Sequence, residues 1–323
     1  MLPQGILDIF EPIRIYRSDI TIIGDNTTLL SHITGKDEDT SVIDIRGIKH
    51  QTIGTTASAL FHQTQLHVNT NRTLADGEIL LLEQPNDKTY VHELLGSKVW
   101  YEELPTLRSE IIEVTHDDNG LLTLAHQSTA LIDPSADIYP LSTIQHVIIK
   151  NLTIDATHKS DPYDYIYENS EPNLMVNSIK AYYASYLTIE NVILNNSGKH
   201  PLVFERCYQC YGQNITIDGA INKGTDGNGY LRFNKSFHSH LKNVSVKHIR
   251  HIVFQWASAH NSIEGLYSEV DINFHGGGSH DNCVLDAQMN VDIEKHHWGK
   301  LYITPDDAHW APPDFDSNFV EEH

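Results

Sequence analysis

Leu202-Val203-Phe204, Leu231-Arg232-Phe233, Ile252-Val253-Phe254 and Ile272-Asn273-Phe274 are one short phrase repeated along the chain. Leu174-Met175-Val176 reads as an earlier copy and Val291-Asp292-Ile293 as a weaker later one. Each is apolar–variable–apolar, the pattern of a strand that turns one face to a core. Marked by the last apolar residue, the copies stand at 176, 204, 233, 254, 274 and 293, in steps of 28, 29, 21, 20 and 19 residues. A second apolar position trails each of the first five by 9 or 11 residues: Leu187, Ile215, Val244, Ile263 and Cys283. Asn214, Asn243 and Asn282 stand just before three of these, as a polar residue recurring at a corner would. Strands at such a period, with no helix-length amphipathic run, mark a solenoid of β-coils. The Leu-x-x-Leu-x-Leu spacing of leucine-rich repeats is missing. The fold class read from this is all-β: a right-handed parallel β-helix, built as a single-stranded solenoid.

In stacked parallel coils, equivalent positions lie about 4.8 Å apart, so residues that flank the inward pair form outward columns. The column before the triplet is Asn173, Pro201, Tyr230, His251, Asp271 and Asn290. The middle column is Met175, Val203, Arg232, Val253, Asn273 and Asp292, and the one after is Asn177, Glu205, Asn234, Gln255, His275 and Glu294. From Glu205 onward this wall gathers a tyrosine, an arginine, two histidines and several amides, where a solvated face is usually rich in Lys, Glu, Ser and Thr. Those are groups that donate, accept and transfer protons near neutral pH.

The 323 residues carry 22 Lys plus Arg against 43 Asp plus Glu, a net charge of −21. That sign disfavours a nucleic-acid partner, and the global field also disfavours anionic sugars unless a local basic pocket overcomes it. No run approaches the ~18 apolar residues of a membrane span, so no membrane role is read. Met1-Leu2-Pro3-Gln4 opens without a basic or apolar leader. Cys207, Cys210 and Cys283 are too few for a disulfide framework and are read as small apolar fillers.

Residues 1–51 read as opening coils, with short β-branched strands such as Ile20-Thr21-Ile22-Ile23 between turn residues. From 52 to 138 the grammar changes to a small antiparallel β insertion, a barrel in outline, with Asn119-Gly120 as a hairpin signal. Trp100 and Tyr101 serve there as core or as a sugar-stacking platform. The main solenoid runs over 139–303 and includes Tyr163, Tyr165 and Tyr167, which fit either a packed strand or a stacking surface. Asn151, Asn214 and Asn243 lie in glycosylation sequons but are read as coil corners. The tail, 304–323, with Pro305, Pro312, Pro313 and Trp310, is too polar for another coil and reads as an extended cover or a frayed end.

The opening Ser18-Asp19-Ile20-Thr21-Ile22-Ile23-Gly24-Asp25 resembles the first turns of pectate-lyase-like β-helix proteins. The resemblance implies a carbohydrate-active protein of polysaccharide lyase, glycoside hydrolase or tailspike type, and a secreted or periplasmic one. Fold does not choose the reaction. Eliminative cleavage of a uronate needs a carboxylate clamp, a base and an acid. Arg232 suits the first, His251 or His275 the second, and Tyr230 the third or a second base. Glu205, Asn234, Gln255, Asp271 and Asn273 are the expected substrate-binding residues. The expected partner is a polysaccharide with uronate units.

Hydrolysis would need two carboxyls ~5–9.5 Å apart, for which Asp271 with Asp292 or Glu294 is the candidate pair. The paired aspartates of polygalacturonase-type enzymes are missing, although Phe274-His275-Gly276-Gly277-Gly278-Ser279-His280 is superficially similar. No cofactor is required by this reading. If a metal is used, Asp271, Asp292 and Glu294 suit calcium, and His275, His280, His296 and His297 suit a transition metal. A tailspike-like wall that binds glycans without cleaving them is the third reading.

Overall fold

The computed structural model describes residues 1–36, 39–87, 89, 106–130, 132–156, 167–224, 227–275, 278–296, 299–303 and 317–323. Two long sheets wind through it. One has nine strands, running from Gly5–Ile9 and Thr21–Ser31 through Thr188–Ser197, Tyr211–Ala220, His240–Lys247 and Ser262–Ser268 to Phe319–Glu322. The other has eight, from Ile13–Ile15 and Ser41–Arg46 through Asn177–Tyr182, Leu202–Glu205, Tyr230–Asn234, His251–Gln255 and Ile272–His275 to Leu301–Ile303. Successive strands within each sheet pair in parallel. The fold is a parallel β-helix.

The inward pairs of the eight-stranded sheet stack in register: Ile179, Leu202, Leu231, Ile252 and Ile272 in one file, Ala181, Phe204, Phe233, Phe254 and Phe274 in the other. All of these side chains are buried in one core. The phenylalanine rings lie 4.6–5.4 Å apart, and Phe233 and Phe254 are stacked nearly parallel, at 8°.

The first and last triplets of the sequence reading are corrected. The strand beneath Leu202–Glu205 contains Ile179-Lys180-Ala181, while Leu174-Met175-Val176 precedes it in the turn. The strand above Ile272–His275 is Leu301–Ile303, whereas Val291, Asp292 and Ile293 lie outside both sheets. The trailing positions do not share one file: Ile215 and Val244 lie in one, Ile263 in a second, and Leu187 and Cys283 in neither. Val192, Ile215, Val244, Leu266 and Ala287 form one, and Ile189, Gly212, Leu241, Ile263 and Val284 the other.

Before the first of these files the backbone kinks into the left-handed region at Asn151, Asn191, Asn214, Asn243, Gly265 and Asp286. Asparagine tolerates that conformation, and its amide can bond its neighbours above and below. Asn191 donates to Asn151 at 2.9 Å, Asn214 to Asn191 at 2.8 Å and Asn243 to Asn214 at 3.1 Å. Asn282 belongs to a separate buried ladder with Asn261 and Asn318. Cys207 and Cys210 are buried in the core, unbridged.

Over residues 54–142 the strands run antiparallel. Their sheet closes on itself because Asp137–Ser142 pairs with both Gly54–Thr56 and Ile79–Gln84. The barrel has its own core, including Leu66, Leu80, Ile112, Leu122 and Ile138. Asn119 and Gly120, at φ of 50° and 90°, make the two-residue turn between Arg108–Asp118 and Leu121–Leu124. The barrel docks on the helix through Ile79, Leu81, Ile111 and Leu141 against Tyr183, Tyr208, Phe237 and Ala259. The chain's end is not merely a cover, since Phe319–Glu322 adds a parallel strand to Cys283–Met289. Trp100, Tyr101, Tyr163, Tyr165, Gly276, Gly277, His297, Pro305, Trp310, Pro312 and Pro313 lie outside the described residues.

Candidate functional site

The outer face of the eight-stranded sheet sets Tyr230 beside His251, Arg232 beside Val253 and Asn273 beyond it, and Glu205, Asn234, Gln255 and His275 in one line. Lys180 and Tyr182 occupy the coil before, next to Val203 and Glu205. This wall is not an open gutter. His251 is 3% exposed, Gln255 4%, Asn273 2% and Asp271 0%, and Val203 and Val253 are also buried. Arg232, Glu205 and His275 remain half-buried.

Access to the wall is through two adjoining cavities that share Glu205 and Arg232. The smaller, about 150 Å³, is also lined by Asp39, Lys180, Lys199 and His200. The larger, about 240 Å³, is bounded by Arg206, Asn234, Lys235, Trp256 and, from the barrel side, Thr106. Lys180 Nζ lies 2.6 Å from Asp39 Oδ1 and 3.0 Å from Glu205 Oε2. Burial works to raise the Glu205 carboxyl, but the charges of Lys180, Arg232 and Arg206 outweigh it and hold the group below its usual range. Glu205 is therefore ionised and unsuited to act as a general acid.

Barrel residue Glu83 collects Lys49, Arg206 Nη2 at 3.8 Å and Lys235 Nζ at 3.9 Å. Lys235 also donates to the Thr106 carbonyl at 2.5 Å. Its ammonium is pushed down to about 8, by burial first and then by the Arg206 charge.

The histidines differ. His251 Nδ1 sits 2.8 and 2.9 Å from the two Asp271 oxygens, a contact that fixes the ring's orientation and tautomer. His200 Nδ1 accepts the Tyr230 backbone N–H at 3.0 Å, and burial with the charges of Lys199, Arg232 and Lys180 holds its pKa well below the usual histidine range. His275 is pushed down to about 4, mainly by burial, with the neighbouring His251, Arg232 and Arg250 adding to it. Tyr230 has its ring 5.4 Å from His200 and 5.2 Å from His251. Burial raises the Tyr230 phenol, so it stays protonated.

Trp256 lies 5.0 Å from the His275 ring, and Trp256 and Ala257 are consecutive left-handed residues at φ of 57° and 66°. With its amide turned to suit both neighbours, Gln255 Oε1 accepts from Arg232 Nη2 at 3.2 Å and from Trp256 Nε1.

The structure thus brings together Glu205, Tyr230, Arg232, Asn234, His251, Gln255, Asp271, Asn273 and His275. It does not bring Asp292 and Glu294 to them. Both are exposed in a turn, where Asp292 meets Lys295 at 3.4 Å, and Asp271 is fully buried against His251. The hydrolase pair and the calcium set therefore lose their geometry, because the strand assumed to carry them is Leu301–Ile303. His280 lies on another face of the coils, stacked over Ala259, and His296 bonds Tyr167. Among the described residues, no group of three or more His, Cys, Asp or Glu could hold a metal.

Lys180, Lys199, His200, Arg206, Lys235 and Trp256 were not among the residues read from the sequence. Arg206, Lys235 and Trp256 were legible in principle, since each follows its outward column by one position. Lys199 and His200 lie in a turn and belong to no column.

No known family model matches the chain, and no curated protein is similar to it. Solved structures similar to it include the gp54 tailspike of Acinetobacter baumannii bacteriophage AP22 in complex with A. baumannii capsular saccharide. That one is 10% identical with a TM-score of 0.46, over 88% of this chain and 52% of that one. The likeness is one of fold. The tailspike gp61 of Pseudomonas phage phi297 is 9% identical (TM-score 0.43, 87% of this chain and 53% of that one). The tailspike gp49 of Pseudomonas phage LKA1 is 12% identical (TM-score 0.42, 89% and 62%). The chain spans between 52% and 62% of the length of these structures.

Proposed function

We propose that the chain binds an acidic polysaccharide at the wall around Arg232 and cleaves it by β-elimination. One observation carries the reading. In a chain with 22 basic against 43 acidic residues, Lys180, Lys199, Arg206, Arg232 and Lys235 line two adjoining cavities on one face. A local cationic site of this kind draws an anionic ligand against the protein's overall field.

The reaction follows from the groups beside those cavities. Arg232 neutralises a uronate carboxylate and so acidifies the adjacent C5–H. His251, oriented by Asp271, takes the C5 proton. The released electron pair forms the C4–C5 double bond and the C4–O bond breaks, with the Tyr230 phenol supplying a proton to the leaving oxygen. His275 is not used as the base, since burial pushes it down to about 4 and leaves its proton affinity low. Such a polymer is met outside the cytoplasm, which goes with a secreted or periplasmic setting for the proposed activity.

A second reading, glycan binding without cleavage, is favoured by the burial of His251 and Tyr230, at 3% and 7% exposed. One experiment separates the two. The protein is incubated with uronate-containing and neutral polymers while absorbance near 235 nm and polymer binding are followed together. Elimination gives rising absorbance, abolished in His251→Ala and reduced at least tenfold in Arg232→Ala. Binding without absorbance or new reducing ends selects the second reading, and binding of neither polymer class overturns both.

A further inference from the structure

His200 is 2% exposed and sits in the turn that leads into the Leu202–Glu205 strand, against the smaller cavity. Its Nδ1 accepts the backbone N–H of Tyr230, so that nitrogen carries no proton and Nε2 carries the ring's one N–H. Nε2 is closed to bulk water and has no hydrogen-bond partner, and Arg232 Nε in the same cavity wall is likewise without one. A buried donor without an acceptor is costly, and an oxygen from a water or a ligand is one way to complete it.

The cavity's own carboxylates do not serve these donors. Asp39 and Glu205 are both held by Lys180, at 2.6 and 3.0 Å. An acceptor oxygen would complete both donors, and the cations of Lys180, Lys199 and Arg232 around the cavity favour an anionic one. Its volume of about 150 Å³ suits the acidic substituent of a sugar rather than a run of sugar rings. The adjoining 240 Å³ cavity, with Trp256 on its wall, has room for the ring that bears it.

We propose that the smaller cavity is a carboxylate subsite. An acidic sugar places its carboxylate between Lys180, Lys199 and Arg232, with one oxygen accepting from His200 Nε2–H. His200 is here a positioning and recognition residue, a neutral donor that reads an oxygen without adding a fourth charge. The proposal rests on the acidic-polysaccharide reading above but not on cleavage.

The test uses the whole protein, defined galacturonate and glucuronate oligosaccharides, and their carboxyl-reduced neutral counterparts. Calorimetry gives affinities, and long-range proton–nitrogen NMR follows the His200 ring nitrogens directly. At least one acidic oligosaccharide is expected to bind tenfold or more tightly than its reduced form and to shift the His200 Nε2 signal, while the reduced form leaves that signal in place. His200→Leu should cut the discrimination at least threefold, the cations keeping the remainder, and His200→Gln, which keeps an acceptor and a donor, should retain more of it. Because the Nε2 signal is read in the unaltered protein, a variant that fails to fold leaves the test intact. An acidic oligosaccharide that binds with the His200 signal unmoved overturns the subsite while the acidic-polysaccharide reading stands. Equal affinity for the acidic and reduced forms also overturns it. Binding of no oligosaccharide removes both.

Discussion

Phe254→Ala tests the register on which every column depends. Phe254 is fully buried between Phe233 at 4.6 Å and Phe274 at 5.4 Å, so its ring is the middle of the aromatic file. A buried aromatic covers ~150–250 Å². At about 25 cal/mol per Å² that corresponds to ~4–6 kcal/mol as an upper figure, part of which alanine retains. Emptying such a site costs about 3–5 kcal/mol in practice, including the cavity left behind. In a solenoid the cavity opens toward the coils on both sides, because each coil is stabilised mainly by its neighbours. The control is Asn234→Ala on the outer face of the neighbouring coil, which should cost ~1 kcal/mol or less. Denaturant titration by far-ultraviolet circular dichroism measures both, the slope being checked for constancy before midpoints are compared. Equal midpoints for the two variants would mean that the inward and outward assignments are exchanged, since a one-residue slip moves every side chain to the opposite face.

Two further outcomes are expected from the titrating groups. Lys235 is pushed down to about 8, so its charge is present below that pH and lost above it; affinity for an acidic oligosaccharide should fall between pH 7 and pH 9, and Lys235→Arg should flatten that fall, an unchanged affinity in the wild type counting against Lys235 as a ligand group. His238 stacks on His126 of the barrel at 4.5 Å and on His260 at 4.8 Å, and burial pushes it down to about 3. Its contribution to stability is present above its unfolded pKa of about 6.5 and is lost as pH falls from there toward 3, because the unfolded chain takes up the proton first. The denaturation midpoint should therefore drop on acidification below pH 6.5, and less so in His238→Phe, where parallel acid sensitivity in both proteins would refute the assignment.

The triplets were legible because their phenylalanines mark an inward file that no loop imitates. Where the marker is weak, the reading failed. Ile179-Lys180-Ala181 carries a lysine in its middle and only alanine at its end, so Leu174-Met175-Val176 looked the better strand. That slip hid Lys180, which stands directly beneath the middle column of Val203 and Arg232. At the other end Val291-Asp292-Ile293 has the pattern but lies outside both sheets, and two false carboxylate candidates came with it. Periodicity reads what alternates along strands. It is silent about Lys199 and His200, whose place is set by a turn, and about Glu83, which arrives from another sheet.

Glu83 explains why the barrel belongs to the site. Arg206 and Lys235 follow their strands directly, both with left-handed backbone, and both face the larger cavity. A half-buried Arg206 and a buried Lys235 this near each other repel, and burial alone already works against each. The Glu83 carboxylate, 6% exposed on the Ile79–Gln84 strand, lies within 4 Å of both and of Lys49 as well. Burial works to raise it, yet the three cations outweigh burial and hold it ionised. Removing that negative charge would leave Arg206 and Lys235 to Glu205 alone, 3.9 Å from Arg206 Nη1, and such under-compensation in a low-dielectric pocket costs more than an exposed pair gains. The coils alone thus supply the cationic wall, but the docked barrel allows that wall to stay charged when no ligand is bound.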